Sequence, residues 1–371
     1  MASRTKKEKE NEVPSSPVSM ADLARELGVS MTTISRALSD HHSIGPATKQ
    51  RVLKLAKKLN YQPNHLAAAL RKGKSKLLGV IVPYIEGRFF PSVVHGIETA
   101  ASKAGFSVIM CQSNEDVAHE RKSIDTLLSA QVAGILVSLS RTTSDFRHFE
   151  KVRKRGIPLV FFDRVLTDDY VNAVVLNDRE GAYQSTLHLI EQGCRRIAHF
   201  AGPQHLNIYQ NRRQGYIEAL QSAGIPVDEE LIAYFDMSQE NGAEEMERLL
   251  ALPSPPDAVF AAGDSSILGA LQYLKNKGVR VPQDIALAGF SNEAFTSITE
   301  PMLTSVDQRC EEMGQASVRL FLELMETKGP AFSHRQVVLQ PQLFIRESSL
   351  HGQAAPSAST PQEEENVQQV R

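Results

Sequence analysis

The sequence predicts a small all-α module followed by an α/β core of two doubly wound parallel-sheet subdomains. Three observations carry this. The spacing of apolar residues is helical up to about residue 60, and from Leu77 onward short β-branched runs alternate with helix-length amphipathic segments. Charge divides at the same place: residues 1–76 hold fifteen Lys and Arg against six Asp and Glu, and residues 77–371 hold twenty-six against thirty-seven. Finally, 371 residues exceed the roughly 100–200 of one domain, so several cores are expected.

Residues 1–17 are polar and rich in Lys, Glu, Ser and Pro, and read as a disordered tail; they contain no apolar signal-peptide region. Over 18–62, Leu23, Ala24 and Leu27 form one apolar stripe, Ile34, Ala37 and Leu38 a second, and Val52, Leu55, Ala56 and Leu59 a third. Gly28 separates the first two helices, Ser30 caps the second, and Gly45-Pro46 opens the third with proline at its first position. The first two helices and their glycine turn match a helix-turn-helix, whose second helix enters the DNA major groove by its N-terminal residues. On "SMTTISR" that places Ser30, Met31, Thr32 and Thr33 at base edges, with Arg36 one turn on reaching a base or a phosphate. A positive module on an acidic body suits a polyanion at one end only.

Residues 63–76 read as a hinge and linker. "NHLAAALR", with Asn64, His65, Leu70 and Arg71, is too short to be a stable isolated helix. Leu70 is either an incidental linker leucine or an apolar wedge that DNA binding orders. In the core, strands are expected at 77–83, 106–111, 133–138 and 157–162, and again at 173–177, 196–202, 231–235, 257–263 and 284–290, each with the character of a buried central strand. Such sheets bind ligands beyond their strand C-terminal ends. The tail, 349–371, again reads as disordered.

Other chemistries find little footing. Cys111, Cys194 and Cys310 lack metal-ligand spacing and read as reduced, buried thiols. No nucleophile elbow, zinc-protease, Walker or dinucleotide motif occurs, so neither an enzyme, a cofactor nor a metal is expected. No apolar run approaches a membrane span, which makes a cytoplasmic, nucleoid-associated protein the expectation.

The segment from "MADLARELGVSMTTISRAL" to "LGVIVP" resembles the lac repressor family of bacterial transcription regulators. So do "FFDR" (161–164), "AGP" (201–203), "GYIEAL" (215–220), "VPQDIALAGF" (281–290), "TSVDQ" (304–308) and "IRES" (345–348), in the family order. The resemblance covers about residues 18–348. It implies a homodimer on a pseudo-palindromic double-stranded DNA operator, with hinge helices in the minor groove and Leu70 as the wedge. It also implies a periplasmic-binding-protein-like core at 77–348 holding a small-molecule effector, a carbohydrate or related metabolite. Effector residues carried over are Asp163, Arg212 and Asp264, the last also readable as a helix N-cap; Phe89 and Phe90, in the loop after the first strand, line the cleft or pack beneath it. Four positions depart from the family: Gln210 replaces an effector-clasping Arg, Gly263 an Asn, Ser291 a common Asp, and Met237 a stacking aromatic. Each removes a polar or planar handle, so common monosaccharides should bind weakly. A transport-type solute-binding protein would share the core without needing the basic module, and control by a protein co-regulator is the other alternative.

Overall fold

In the computed structural model, residues 18–61, 75–165, 171–326 and 335–350 are described, and the chain forms two compact units that part between Ser75 and Lys76. Asn64, His65, Leu70 and Arg71, and the two terminal tails, lie outside the described residues.

The first unit contains α1 (Met20–Leu27), α2 (Met31–Leu38) and α3 (Pro46–Lys58). The Ser19 hydroxyl accepts the Asp22 N–H while the Asp22 carboxylate accepts the Ser19 N–H, a reciprocal cap that the sequence reading did not include. Gly28 ends α1 at φ 65°, a left-handed conformation that a side chain would strain. Ser30 caps α2 by accepting the Thr33 N–H at 3.1 Å, and Pro46 opens α3. Leu23, Ile34 and Val52, one from each helix, are fully buried against one another, so the three stripes share one miniature core.

The second unit contains two six-stranded sheets. The first combines β1 (Leu77–Val82), β2 (Ser107–Gln112), β3 (Gly134–Val137), β4 (Leu159–Phe162), β5 (Ala173–Leu176) and β11 (Gln336–Leu339), in the order β11-β5-β4-β3-β1-β2. The second combines β6 (Ile197–Phe200), β7 (Ile232–Ala233), β8 (Ala258–Ala261), β9 (Ala286–Phe290), β10 (Thr304–Asp307) and β12 (Gln342–Phe344), in the order β12-β10-β9-β8-β6-β7. Helices α4 (Phe89–Lys103), α5 (Val117–Ser129), α6 (Glu150–Lys154), α7 (Asp178–Glu191), α8 (Asn207–Ser222), α9 (Gln239–Leu250), α10 (Asp264–Asn276) and α11 (Cys310–Glu326) connect them.

Several expectations need correction. Strand 173–177 does not open the second subdomain, because β5 pairs with β4 and β11 in the first sheet. The chain therefore crosses between lobes three times: after β5, between β10 and α11, and between β11 and β12. The second sheet is not purely parallel, since β12 runs antiparallel to β10. Strand β2 is an edge strand with Met110 exposed, which also leaves Cys111 only partly buried, whereas Cys194 and Cys310 are buried. Among the described residues no helix is long and apolar enough to cross a membrane.

Helices α9 and α10 approach closely at glycine. A Cβ on Gly269 would lie 1.9 Å from the Gln239 carbonyl oxygen, and one on Gly242 would lie 2.1 Å from that of Ser266. Gly269→Ala must push the helices apart, and overpacking of this kind costs about 1–3 kcal/mol. A lowered midpoint in thermal unfolding is the expected result; an unchanged midpoint would mean that the helices separate freely.

Candidate DNA-reading helix and interlobe cleft

The α2 stripe of Ile34 and Ala37 faces the module core, and this turns Met31, Thr32 and Arg36 outward. Met31 is 56% exposed although apolar, and the Arg36 guanidinium has no ion pair among the described residues. Ser30 serves as the cap, and its hydroxyl also pairs with that of Thr33 at 2.9 Å. The exposed N-terminal face of α2 thus carries a methionine, threonine hydroxyls and a free cation, groups able to meet thymine methyls, base edges and phosphates.

Between the two sheets lies a cleft of about 570 Å³. Its walls come from segments that follow the C-terminal ends of parallel strands in both lobes, the location the α/β architecture dictates. Phe89 and Phe90 line it from the first turn of α4, not from a loop; Phe90 is 1% exposed and meets Tyr84 edge-on at 4.9 Å. Met237 lines the wall opposite, where a Cβ added to Gly263 would sit 3.6 Å from its Cε, so a side chain at 263 would narrow the pocket on that side.

Arg212 is the most committed cation. Its Nε donates to Asp178 at 2.8 Å, Nη1 to the Ala262 carbonyl at 2.7 Å and Nη2 to Gln308 at 3.0 Å, and Nη2 also lies in an ion pair with Asp178 at 2.7 Å. Its guanidinium carbon lies 3.7 Å from the centre of the Phe290 ring. Gln308 in turn donates to the Ser291 hydroxyl at 2.8 Å, extending the chain to the cleft wall. Gln210 lies two residues earlier, roughly 200° around α8. It is exposed and does not line the cleft, so its replacement of an Arg takes no handle from the pocket, and on α8 the arginine that lines the cleft is Arg212.

Asp264 is not the N-cap of α10, which is Gly263. Its carboxylate accepts the Glu293 N–H and the Ser305 hydroxyl, each at 2.8 Å, and burial pushes it up to about 6. It braces the wall and has few lone pairs left for a ligand. Burial also pushes Asp163 up to about 6, against the pull of Arg164 and Arg212. The backbone of Asp163 is left-handed at φ 60°.

The sequence reading passed over several cleft groups: Tyr84, Glu115, Arg141, Arg164, Tyr209 and Gln308. Arg164 in "FFDR" and Gln308 in "TSVDQ" were the two with a visible signal. The loop carrying Arg141 is fixed by Glu120, fully buried, whose carboxylate takes the Ser140 N–H at 2.8 Å, the Thr143 hydroxyl at 2.9 Å and His148 at 2.6 Å. Bonds also bridge the lobes. The Arg88 N–H donates to Glu293 at 2.8 Å, Asn207 accepts from the Val165 N–H at 2.9 Å, and the His205 Nε2–H donates to the Arg141 carbonyl at 2.6 Å. Among the described residues no cluster of His, Cys, Asp and Glu could hold a metal ion.

A helix-turn-helix module and a two-lobed core, with a cleft between lobes joined by three crossovers, together define a ligand-responsive DNA-binding protein. The comparisons with known proteins agree. Residues 19–64 match the family described as "Bacterial regulatory proteins, lacI family", and residues 186–349 match "Periplasmic binding protein-like domain". The repressor CytR of Escherichia coli is 33% identical over 330 residues, covering 89% of this chain and 96% of the relative. The regulator RegA of Clostridium saccharobutylicum is 30% identical over 90% of this chain and 99% of its own. Among solved structures, a CelR–cellobiose complex superposes with a TM-score of 0.68 at 32% identity, covering 89% of this chain and 99% of that one. The lac repressor dimer bound to operator and the anti-inducer ONPF gives 0.79 at 25% identity, covering 91% and 100%. This chain belongs to the lacI family of bacterial regulatory proteins. It is a sequence-specific DNA-binding transcriptional regulator with an effector-binding core, and not an enzyme.

Proposed function

We propose that the protein is a dimeric repressor that reads a pseudo-palindromic operator through Met31, Thr32, Thr33 and Arg36 of α2, with DNA affinity set by a small molecule between the core lobes. The single observation that carries this is the outward N-terminal face of α2, held by the Ser30 cap and carrying an unpaired Arg36. Asn64, His65 and Arg71 belong to the same proposed DNA-binding surface as Leu70, which enters the minor groove at the operator centre. The cleft of about 570 Å³ favours a small effector over a protein co-regulator. A carbohydrate or related metabolite is the proposed class, supported by the solved relative in complex with cellobiose.

Thr32→Ala and Arg36→Ala should lose discrimination between operator and random DNA, by about 1–3 kcal/mol for each base contact removed. Lys72→Ala, which removes only a linker charge, should weaken all sequences alike. Competitive gel shifts distinguish the two patterns, and equal loss on cognate and random DNA for Arg36→Ala would remove its base-reading role. Leu70→Ala should reduce DNA bending and affinity together, because a side-chain wedge kinks the duplex by roughly 20–90°. A circular-permutation gel with an unchanged bend would restore the plain-linker reading.

A further inference from the structure

Helix α2 ends where a pair of histidines begins. Asp40 adopts a left-handed backbone at φ 52°, and the turn is closed by the Asp40 N–H on the Ala37 carbonyl at 3.3 Å and the His41 N–H on the Arg36 carbonyl at 2.9 Å. This helix stop fixes the backbone of His41 relative to Arg36. The His41 ring stacks on that of His42, with centroids 4.2 Å apart and planes 29° from parallel, and both residues are exposed. They are the two histidines of residues 18–61.

Ser43 holds His41 so that either charge state fits. The Ser43 N–H can only donate, and it donates to His41 Nδ1 at 3.2 Å, which leaves the proton of the neutral ring on Nε2. The Ser43 hydroxyl lies 2.8 Å from the same nitrogen and can accept from it once the ring is protonated. In the free module the balance favours the neutral form. Lost hydration first, then the charges of His42, of Arg36 from α2 and of Lys49 from α3, hold His41 below the usual histidine range. Asp40, the acid of this loop, is taken by Lys49 at 2.6 Å. A polyanion laid on this face reverses the balance, because its phosphates offset the cations that keep the proton away.

We propose that His41 and His42 form a proton-linked phosphate contact: the module takes up a proton at this pair as it seats on DNA, so its grip on the backbone tightens as the pH falls. This rests on the reading of α2 as the DNA-reading helix and adds a pH response to it. A phosphate oxygen is charged and can only accept, so it selects the imidazolium; a neutral base edge does so far less. Phosphate raises the bound ring above its free value. The gain in affinity is therefore complete below the free value and is lost as the pH rises through the bound one.

The test uses the full chain and a fluorescent mixed-sequence duplex, since a backbone contact does not depend on sequence. In anisotropy titrations at constant ionic strength, wild type should bind about three- to tenfold more tightly at about pH 6 than at about pH 8, the gain expected when one histidine rises by up to a unit. H41Q/H42Q should lose the gain. H65Q, which alters the histidine just beyond the module, should keep it. H42K carries a permanent cation and should bind more tightly than wild type at about pH 8. Inorganic phosphate added at the same ionic strength should leave the gain in place; its disappearance would mark a site for free phosphate and overturn the proposal. No gain in wild type, an equal gain in wild type and H41Q/H42Q, a gain lost in H65Q alone, or H42K no tighter than wild type at about pH 8 would overturn it too, and would leave the α2 reading standing. No binding of the duplex at either pH would sink both.

Discussion

Removal of residues 1–76 should abolish operator binding while leaving the core folded. The two compact units part between Ser75 and Lys76, and each has its own buried cluster, so the core keeps its packing when the module is gone. Residues 1–76 carry a net charge of +9 and residues 77–371 a net charge of −11, which reverses the sign seen by the phosphates. The loss should exceed about a thousandfold, because specific sites are bound at least that much more tightly than random DNA and the electrostatic contribution disappears as well. The intact chain should also lose affinity steeply as salt rises. Anisotropy titrations of intact and truncated chains against one operator check both, and the melting temperature of the truncated core shows whether it has stayed folded.

The second large effect lies at Arg212. It is 3% exposed and Asp178 1% exposed, so Arg212→Ala leaves a buried carboxylate without its cation and strips donors from the Ala262 carbonyl and Gln308. Breaking one side of such a pair costs about 3–5 kcal/mol. For a core of this size that is a fall in Tm on the order of 10 °C. Arg212→Lys should rescue little, since an ammonium cannot reproduce a fork that meets Asp178, Ala262 and Gln308 together. The Gln308–Ser291 hydrogen bond runs through the same network, so effector affinity should fall as well. Calorimetry on both variants checks the stability effect. A Tm within a degree or two of wild type would mean that the cleft wall stands without this network.

What was legible in the sequence was local. Gly28, Ser30 and Pro46 act through their own backbone preferences, and the three apolar stripes act through helical period, so the DNA-reading module could be drawn residue by residue. Sheet membership was not local. Nothing in "AVVLN" says that β5 lies beside β4 with β11, more than 150 residues later, on its other edge. Strand β2 was misjudged because an edge strand and a central one can share the same apolar run, and only the neighbour on the far side tells them apart. In the cleft, Gln210 was misassigned by ignoring helix phase, since two residues on α8 point to opposite sides. Asp264 was read one position out, Gly263 being the cap. Arg164 was overlooked because an arginine beside a candidate aspartate reads as its partner alone; that it also pairs with Glu115 and lines the cleft is a fact of three dimensions.

The most direct measurement is genome-wide mapping of the sites that the intact chain occupies, run in parallel with Arg36→Ala. The account predicts a limited set of sites sharing a two-fold-related sequence, with occupancy lost or the motif relaxed at symmetric positions in the variant. Binding scattered without a shared motif, or an identical motif at undiminished occupancy in Arg36→Ala, would contradict operator reading by the exposed face of α2.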